Sequence, residues 1–385
     1  MWNVQLFKLN YDEREVSAVA CVVRGGWLTM GEQTKRFEVA FADYLGQDVK
    51  AAAVSNGTAA LHLALLALGV GVGDEVIIPS LTFVADINTV LLTGATPVVA
   101  DCTSWDDWNI DPADIARKIT SRTKAVMIVH YAGYPCAMDE IVSLCQQGGV
   151  ALIEDCAHAP GARYKGRRVG SFGDFGCFSF FTNKNLSVGE GGMVTTCSPD
   201  YDQKIRFLRS HGMTTLTLDR HQGRAISYDV ERPGLNYRID EMRAALGLVQ
   251  LAKLDQANRL RQRVVERYVT AFRDIAGLVM PFLNLRDIEP VFHIFPVLLP
   301  KTVDRLAVIE SLKRSGVQSS IHYPLLQEFS AFRDLRLGTT PIASEIARRE
   351  LTLPLYPTIT DEEVDTVIKA FREALDPARQ HGRHG

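Results

Sequence analysis

Val150-Ala151-Leu152-Ile153-Glu154-Asp155 runs from apolar residues straight into two carboxylates. Such a run reads as a buried strand. Its acids stand at the carboxyl end, where doubly wound sheets bind their ligands. A second run over 177–181 leads into Thr182-Asn183-Lys184-Asn185-Leu186, so an amine follows Asp155 by 29 residues. The turn Gly189-Glu190-Gly191-Gly192 comes next, with a further strand over 193–196.

Upstream, residues 51–54, 75–78, 97–100 and 125–130 read as strands, and 58–68, 86–92 and 138–147 as helices between them. Strands alternating with helical patterns argue for an α/β chain with a large, mainly parallel sheet covered by helices. Downstream, an amphipathic helix is expected from 240 to about 273, with Met242, Ala245, Leu246, Val249 and Leu254 on its apolar face. Beyond it, strands over 292–299 and 317–321 and helices over 303–313 and 361–375 suggest a smaller α+β domain. The expected division is a large domain over 1–250 and a small one over 251–385. The polar end, 376–385, is expected to fray.

A chain of 385 residues exceeds the size at which one core stops growing, in keeping with two lobes. A formal charge of -3 supplies no basic field for nucleic acid. The longest apolar stretch, 59–72, is interrupted by His62 and glycines and is too short to span a bilayer. Seven cysteines without a C-x-x-C pair read as reduced thiols, and no basic-then-apolar signal opens the chain. The expectation is a cytoplasmic protein that handles small molecules. No metal site is expected, because His381 and His384 lack ligand spacing.

Each chemical signal is weak alone. Asn56-Gly57-Thr58 opens a helix at a strand's end, where free N–H groups suit a phosphate, but such a turn is also an ordinary helix cap. Asp155 could pair with a cationic ring nitrogen, or it could cap a helix or join a surface ion pair. His158 could lie above the same ligand, although lone histidines are more often structural. Lys184, if partly desolvated, loses its proton readily and attacks an aldehyde; most lysines are solvated surface residues.

The order of these signals is more telling. Gly57 and Thr58, then Asp155, then Ser179 with Lys184 match the phosphate cup, pyridinium partner and Schiff-base lysine of enzymes with the aspartate-aminotransferase fold. From end to end the chain resembles the DegT/DnrJ/EryC1/StrS family of sugar aminotransferases. Gly26-Trp27-Leu28-Thr29-Met30-Gly31 is similar to the family's opening. The segments Ser55-Asn56-Gly57-Thr58-Ala59-Ala60-Leu61, Gly73-Asp74-Glu75-Val76-Ile77 and Pro79-Ser80-Leu81-Thr82-Phe83-Val84 follow in the family's order. So do Glu154-Asp155-Cys156-Ala157-His158-Ala159, Ser179-Phe180, Asn236-Tyr237-Arg238 and Leu353-Pro354-Leu355.

The resemblance implies pyridoxal 5'-phosphate (PLP) as cofactor, carried as a Schiff base on Lys184, which would also move the proton. It implies Asp155 on the ring nitrogen, Phe83 stacked on the ring and His158 near the ring hydroxyl. Gly57, Thr58 and Ser179 would hold the phosphate, and Asn236 would reach it from the neighbouring subunit of a homodimer. Without the resemblance Phe83 reads as a plain core aromatic. The implied reaction passes an amino group from an amino acid, L-glutamate by family likeness, to a nucleotide-linked keto-sugar. Such amino-sugar nucleotides feed surface polysaccharides or secondary metabolites.

Ala85-Asp86-Ile87-Asn88 departs from the family's smaller residues, so the pocket beside Phe83 is expected to differ. The stretch 213–233, with Asp219-Arg220-His221, is long and polar and reads either as a lining of the sugar-nucleotide site or as a solvated loop. Ile321-His322-Tyr323-Pro324 resembles a substrate-side segment of undetermined role. Three other functions share the fold: an aminocyclitol aminotransferase, a sugar dehydratase with histidine in place of the lysine, and a non-catalytic regulator. Lys184 and Asp155 argue against the last two.

Overall fold

The computed structural model describes residues 2–214, 223 and 227–376. Two helices, α1 (Glu13–Gly25) and α2 (Glu32–Leu45), precede the sheet. The sequence reading had assigned no element there. α1 starts on a capping box in which Asp12 and Glu15 satisfy each other's backbone N–H groups. The expected alternation follows: β1 (Lys50–Val54), α3 (Gly57–Leu68), β2 (Glu75–Pro79), α4 (Ala85–Leu92) and β3 (Thr96–Ala100). It continues through α5 (Pro112–Lys118), β4 (Thr123–Val129), α6 (Met138–Gly148) and β5 (Ala151–Asp155). A short pair, β6 (Arg163–Tyr164) and β7 (Arg167–Arg168), comes before β8 (Phe175–Ser179) and β9 (Gly192–Thr196). Then come α7 (Pro199–Leu208) and the long α8 (Glu241–Phe272), whose N-cap Asp240 accepts a hydrogen bond from the Arg243 amide.

The main sheet has seven strands in the order β1-β9-β8-β5-β4-β2-β3. β9 runs antiparallel to both its neighbours, and the other pairings are parallel. β1, β2, β5 and β8 therefore present their carboxyl ends along one edge. The chain leaving that edge carries Gly57, Phe83, Asp155 and Lys184. Near-continuous apolar runs make these strands, because helices cover both faces.

The remaining elements are β10 (Ile288–Glu289), β11 (Phe295–Leu298), α9 (Arg305–Arg314), α10 (Pro341–Arg349), β12 (Glu350–Leu353) and α11 (Asp361–Leu375). β11 pairs antiparallel with β12. The strand expected over 317–321 is instead reduced to isolated bridges, Val4 with Val317 and Ser320 with Thr352. A separate core of Val264, Tyr268, Phe272, Val297, Leu312, Leu351 and Phe371 also takes in Val4 from the far end of the chain. The division expected after residue 250 falls inside the unbroken α8.

The interior face of α8 also differs from expectation. Met242, Leu246 and Val249 are only half-buried, whereas Gln250, Lys253, Asn258 and Arg261 are buried. An apolar count misses this because most of these polar groups find partners, although the Arg261 Nε is buried without one. The Lys253 ammonium donates to Glu15 at 2.9 Å and to the Asn10 carbonyl at 2.6 Å.

Candidate active site

A cavity of about 660 Å³ opens at the carboxyl edge of the sheet. Gly57, Thr58, Phe83, Asp155, His158, Ser179 and Lys184 all line it, although they come from four separate segments. Asn236 does not; it is exposed, and its neighbour Tyr237 lines the wall.

The floor at α3 is built for close approach. Asn56 caps the helix by accepting from the Ala59 amide at 2.8 Å. The first-turn amides of Gly57 and Thr58 have no intrahelical partner, as at any helix start. A Cβ on Gly57 would lie 2.8 Å from that of Ser179, so only glycine lets the helix start and the end of β8 come together. An anion set there meets backbone N–H groups and the Ser179 hydroxyl.

Asp155 is buried, and its Oδ1 accepts from the Ala157 amide at 2.7 Å. Burial pushes its carboxyl above the ordinary range, opposed by that amide and by the Lys184 ammonium. Lys184 retains some solvent contact through the cavity but is otherwise enclosed. Desolvation pulls its pKa down to about 8, with Asp155 acting the other way. Roughly a tenth of the amine is therefore neutral at pH 7, far more than for an ordinary lysine, as a nucleophilic amine requires.

His158 is fully enclosed, and burial, then Lys184 and His322, hold its pKa well below the usual value. The neutral ring accepts from the Ala132 amide at Nδ1, so Nε2 carries the hydrogen and donates to the Tyr323 hydroxyl at 2.9 Å. Phe83 is 55% exposed, with its ring 5.8 Å from that of Tyr323. The core-aromatic alternative is thereby set aside, because the ring borders the cavity and not the core.

Glu154 takes no part in the cavity. Its carboxylate accepts from the amides of Gly170, Phe172 and Gly173 at 2.7–2.9 Å and pairs with His130 at 3.1 Å. His130, Glu154 and Cys156 bring possible metal-ligand atoms within 4.8 Å of one another. Those carboxylate oxygens are already engaged, so the cluster serves to anchor the loop before β8.

Three residues were missed or given no role by the sequence reading. Tyr323 holds His158. Asn183 lines the cavity with its Oδ1 buried and unpartnered. Asp86 lies buried behind Asp155. Asp86 carried a signal in the sequence as a departure from the family's smaller residues, and Tyr323 as part of the substrate-side segment over 321–324, but neither received a role. The 219–221 segment and the tail histidines lie outside the described residues.

A phosphate cradle at a helix start, a buried carboxylate, a deprotonatable lysine and an aromatic wall define a site for a phosphorylated aldehyde cofactor with a basic ring nitrogen. The glycine cradle and the orphaned Asn183 oxygen fit such a group. The model of the DegT/DnrJ/EryC1/StrS aminotransferase family matches residues 10–372. The spore coat polysaccharide biosynthesis protein SpsC of Bacillus subtilis (strain 168) is 39% identical over 377 residues, with 95% of each chain covered. The PLP form of Spr1654 from Streptococcus pneumoniae is 29% identical and superposes with a TM-score of 0.90, covering 97% of this chain and 99% of that one. PseC of Helicobacter pylori, an aminotransferase involved in the biosynthesis of pseudoaminic acid, is 27% identical with a TM-score of 0.90 and the same coverage. The chain belongs to the DegT/DnrJ/EryC1/StrS aminotransferase family. It has the aspartate-aminotransferase type of fold and is a PLP-dependent aminotransferase.

Proposed function

We propose that this enzyme transfers an amino group from L-glutamate to a keto-sugar carried on a nucleoside diphosphate, releasing 2-oxoglutarate and an amino-sugar nucleotide. The observation that carries the reading is the convergence of Gly57, Asp155, Ser179 and Lys184 on one cavity. The parts that SpsC and PseC play in spore coat polysaccharide and pseudoaminic acid biosynthesis support a sugar acceptor.

PLP, when bound, supplies the electron sink that lets an amino acid give up its α-proton and its amino group. Lys184 would anchor the cofactor and carry the proton, since its neutral amine is available near pH 8. Asp155 would hold the proton of the ring nitrogen, and His158, with hydrogen on Nε2, would face the ring hydroxyl. Gly57, Thr58 and Ser179 would hold the phosphate, while Phe83 would cover the ring and exclude water.

Asn236, exposed and outside the cavity wall, would act on the phosphate of a second copy, making the active unit a homodimer with shared sites. Exposed Val16 and Val23 on α1 support such a contact. Among the described residues no helix is long and apolar enough to cross a membrane. The free cysteines suit the reducing cytoplasm included in this proposal.

The test is to convert the enzyme with glutamate to its pyridoxamine phosphate form and then scan keto-sugar nucleotides for return of the PLP absorbance. Return with nucleotide-linked keto-sugars, and not with a free keto-inositol, is expected. The opposite pattern identifies an aminocyclitol enzyme. Mixing Lys184→Ala with Asn236→Ala chains checks the shared site. Activity should recover toward half of wild type per dimer, whereas an Asn236 that acts within its own chain gives no recovery.

A further inference from the structure

The buried carboxylate of Asp155 does not stand alone. Asp86, in the first turn of α4, is completely buried against it, close enough for a hydrogen bond between the two side chains. Asp86 Oδ2 accepts from the Thr82 hydroxyl at 2.5 Å, while Oδ1 is buried and without a partner. Two ionised carboxylates cannot satisfy each other, because neither has a donor to offer. One shared proton removes both the repulsion and the orphaned oxygen.

The surroundings decide which residue holds that proton. Asp155 receives the Ala157 amide and faces the Lys184 amine and, further off, His130. Asp86 has one hydroxyl, and the other titratable groups that sense it, Tyr323 and Cys177, are neutral near pH 7 because burial raises both. Burial, then the Asp155 charge, pushes the Asp86 carboxyl well above the carboxylate range. Its first-turn position favours negative charge only weakly by comparison.

We propose that Asp86 is a positioning residue: it keeps a proton and donates it to Asp155, so that Asp155 stays ionised and fixed in direction toward the cofactor's ring nitrogen. The proposal rests on the reading of Asp155 as partner of that nitrogen. It adds a second carboxyl, neutral in working enzyme, that touches neither cofactor nor substrate.

The experiment titrates full-length protein, stripped of cofactor, with PLP and with its 1-deaza analogue, which lacks the ring nitrogen. The ratio of the two affinities reports the contact of Asp155 with nitrogen and does not respond to general loosening. Asp86→Asn keeps an acceptor for Thr82 and a donor for Asp155, so the ratio should stay within about twofold of wild type. Asp86→Ala should lower it on the order of tenfold, the worth of a hydrogen bond to a charged group. Equal weakening for both ligands in Asp86→Ala overturns the proposal, as does an Asp86→Asn ratio changed more than about threefold. If Asp86→Ala does not fold, infrared difference spectra of wild type against Asp86→Asn near pH 7 decide. A protonated-carboxyl carbonyl band must be lost in the variant, and its absence from wild type overturns the proposal. A misassigned Asp155 gives a different result: no preference for PLP over the analogue in wild type, with the infrared band still present.

Discussion

Glu154 and Asp155 are adjacent on β5 and both buried, yet they do opposite work. Successive strand residues face opposite sides of a sheet. Glu154 turns to one side, where three backbone amides and His130 use its oxygens and tie down the loop over 170–173. Asp155 turns to the other, lines the cavity, and has within the chain the Ala157 amide and the Asp86 carboxyl beside it. A carboxylate whose hydrogen bonds are complete serves the fold. One left with capacity at a cavity is available to a ligand.

The largest expected effect lies on the cavity side. Lys184→Ala should lower amino transfer from glutamate roughly ten-thousand-fold, because anchor and proton carrier are lost together. Single-turnover absorbance measures the rate, and borohydride reduction with peptide mapping should place the pyridoxyl label of wild type on Lys184. A label on another lysine would break the comparison at its root.

The two carboxylates should then separate by the kind of damage they cause. Glu154→Ala strands three backbone N–H groups, that of Gly170 buried and those of Phe172 and Gly173 half-buried, so a loss of about 2–3 kcal/mol in unfolding stability is expected. Asp155→Ala should leave unfolding close to wild type but slow the glutamate half-reaction roughly a hundredfold, about 3 kcal/mol of barrier. Chemical denaturation and single-turnover kinetics on both variants check the pair. A stable Glu154→Ala, or a fast Asp155→Ala, would show that the division of labour is misread.

How legible this was in the sequence depends on what each residue needs. The parallel sheet and its loaded edge were readable, because buried runs such as 150–153 and strand-end polar residues are local patterns. Gly57, Asp155, Ser179 and Lys184 were readable by their order. The pairing of Asp86 with Asp155 was not, since they lie on different elements and only tertiary contact joins them. The polar interior of α8 escaped for a related reason: Lys253 is buried because Glu15, far along the chain, receives it. The strand β12 went unassigned because its pairing with β11 joins segments far apart in the chain.

The smallest expected effect concerns the amine itself, without cofactor. Lys184 titrates at about 8 in the folded chain against 10.5 unperturbed. Between those values the unfolded chain binds more protons than the folded one, so this group makes stability rise with pH across that window. Below pH 8 the fold bears the whole cost of a charged, desolvated amine, and above 10.5 the cost has gone. Each pH unit between the two values corresponds to about 1.4 kcal/mol, reduced here because the amine keeps some solvent contact through the cavity. Lys184→Met should therefore stabilise cofactor-free protein by about 1–2 kcal/mol at pH 7, with the gain shrinking as pH climbs through the window. Urea unfolding of both proteins from pH 7 to the limit of alkaline solubility reads it. A gain that does not vary with pH would mean that the methionine acts through packing and that Lys184 is charged at no cost. The contrast with Glu154, whose charge is fully met by its neighbours, would then lose one of its two sides.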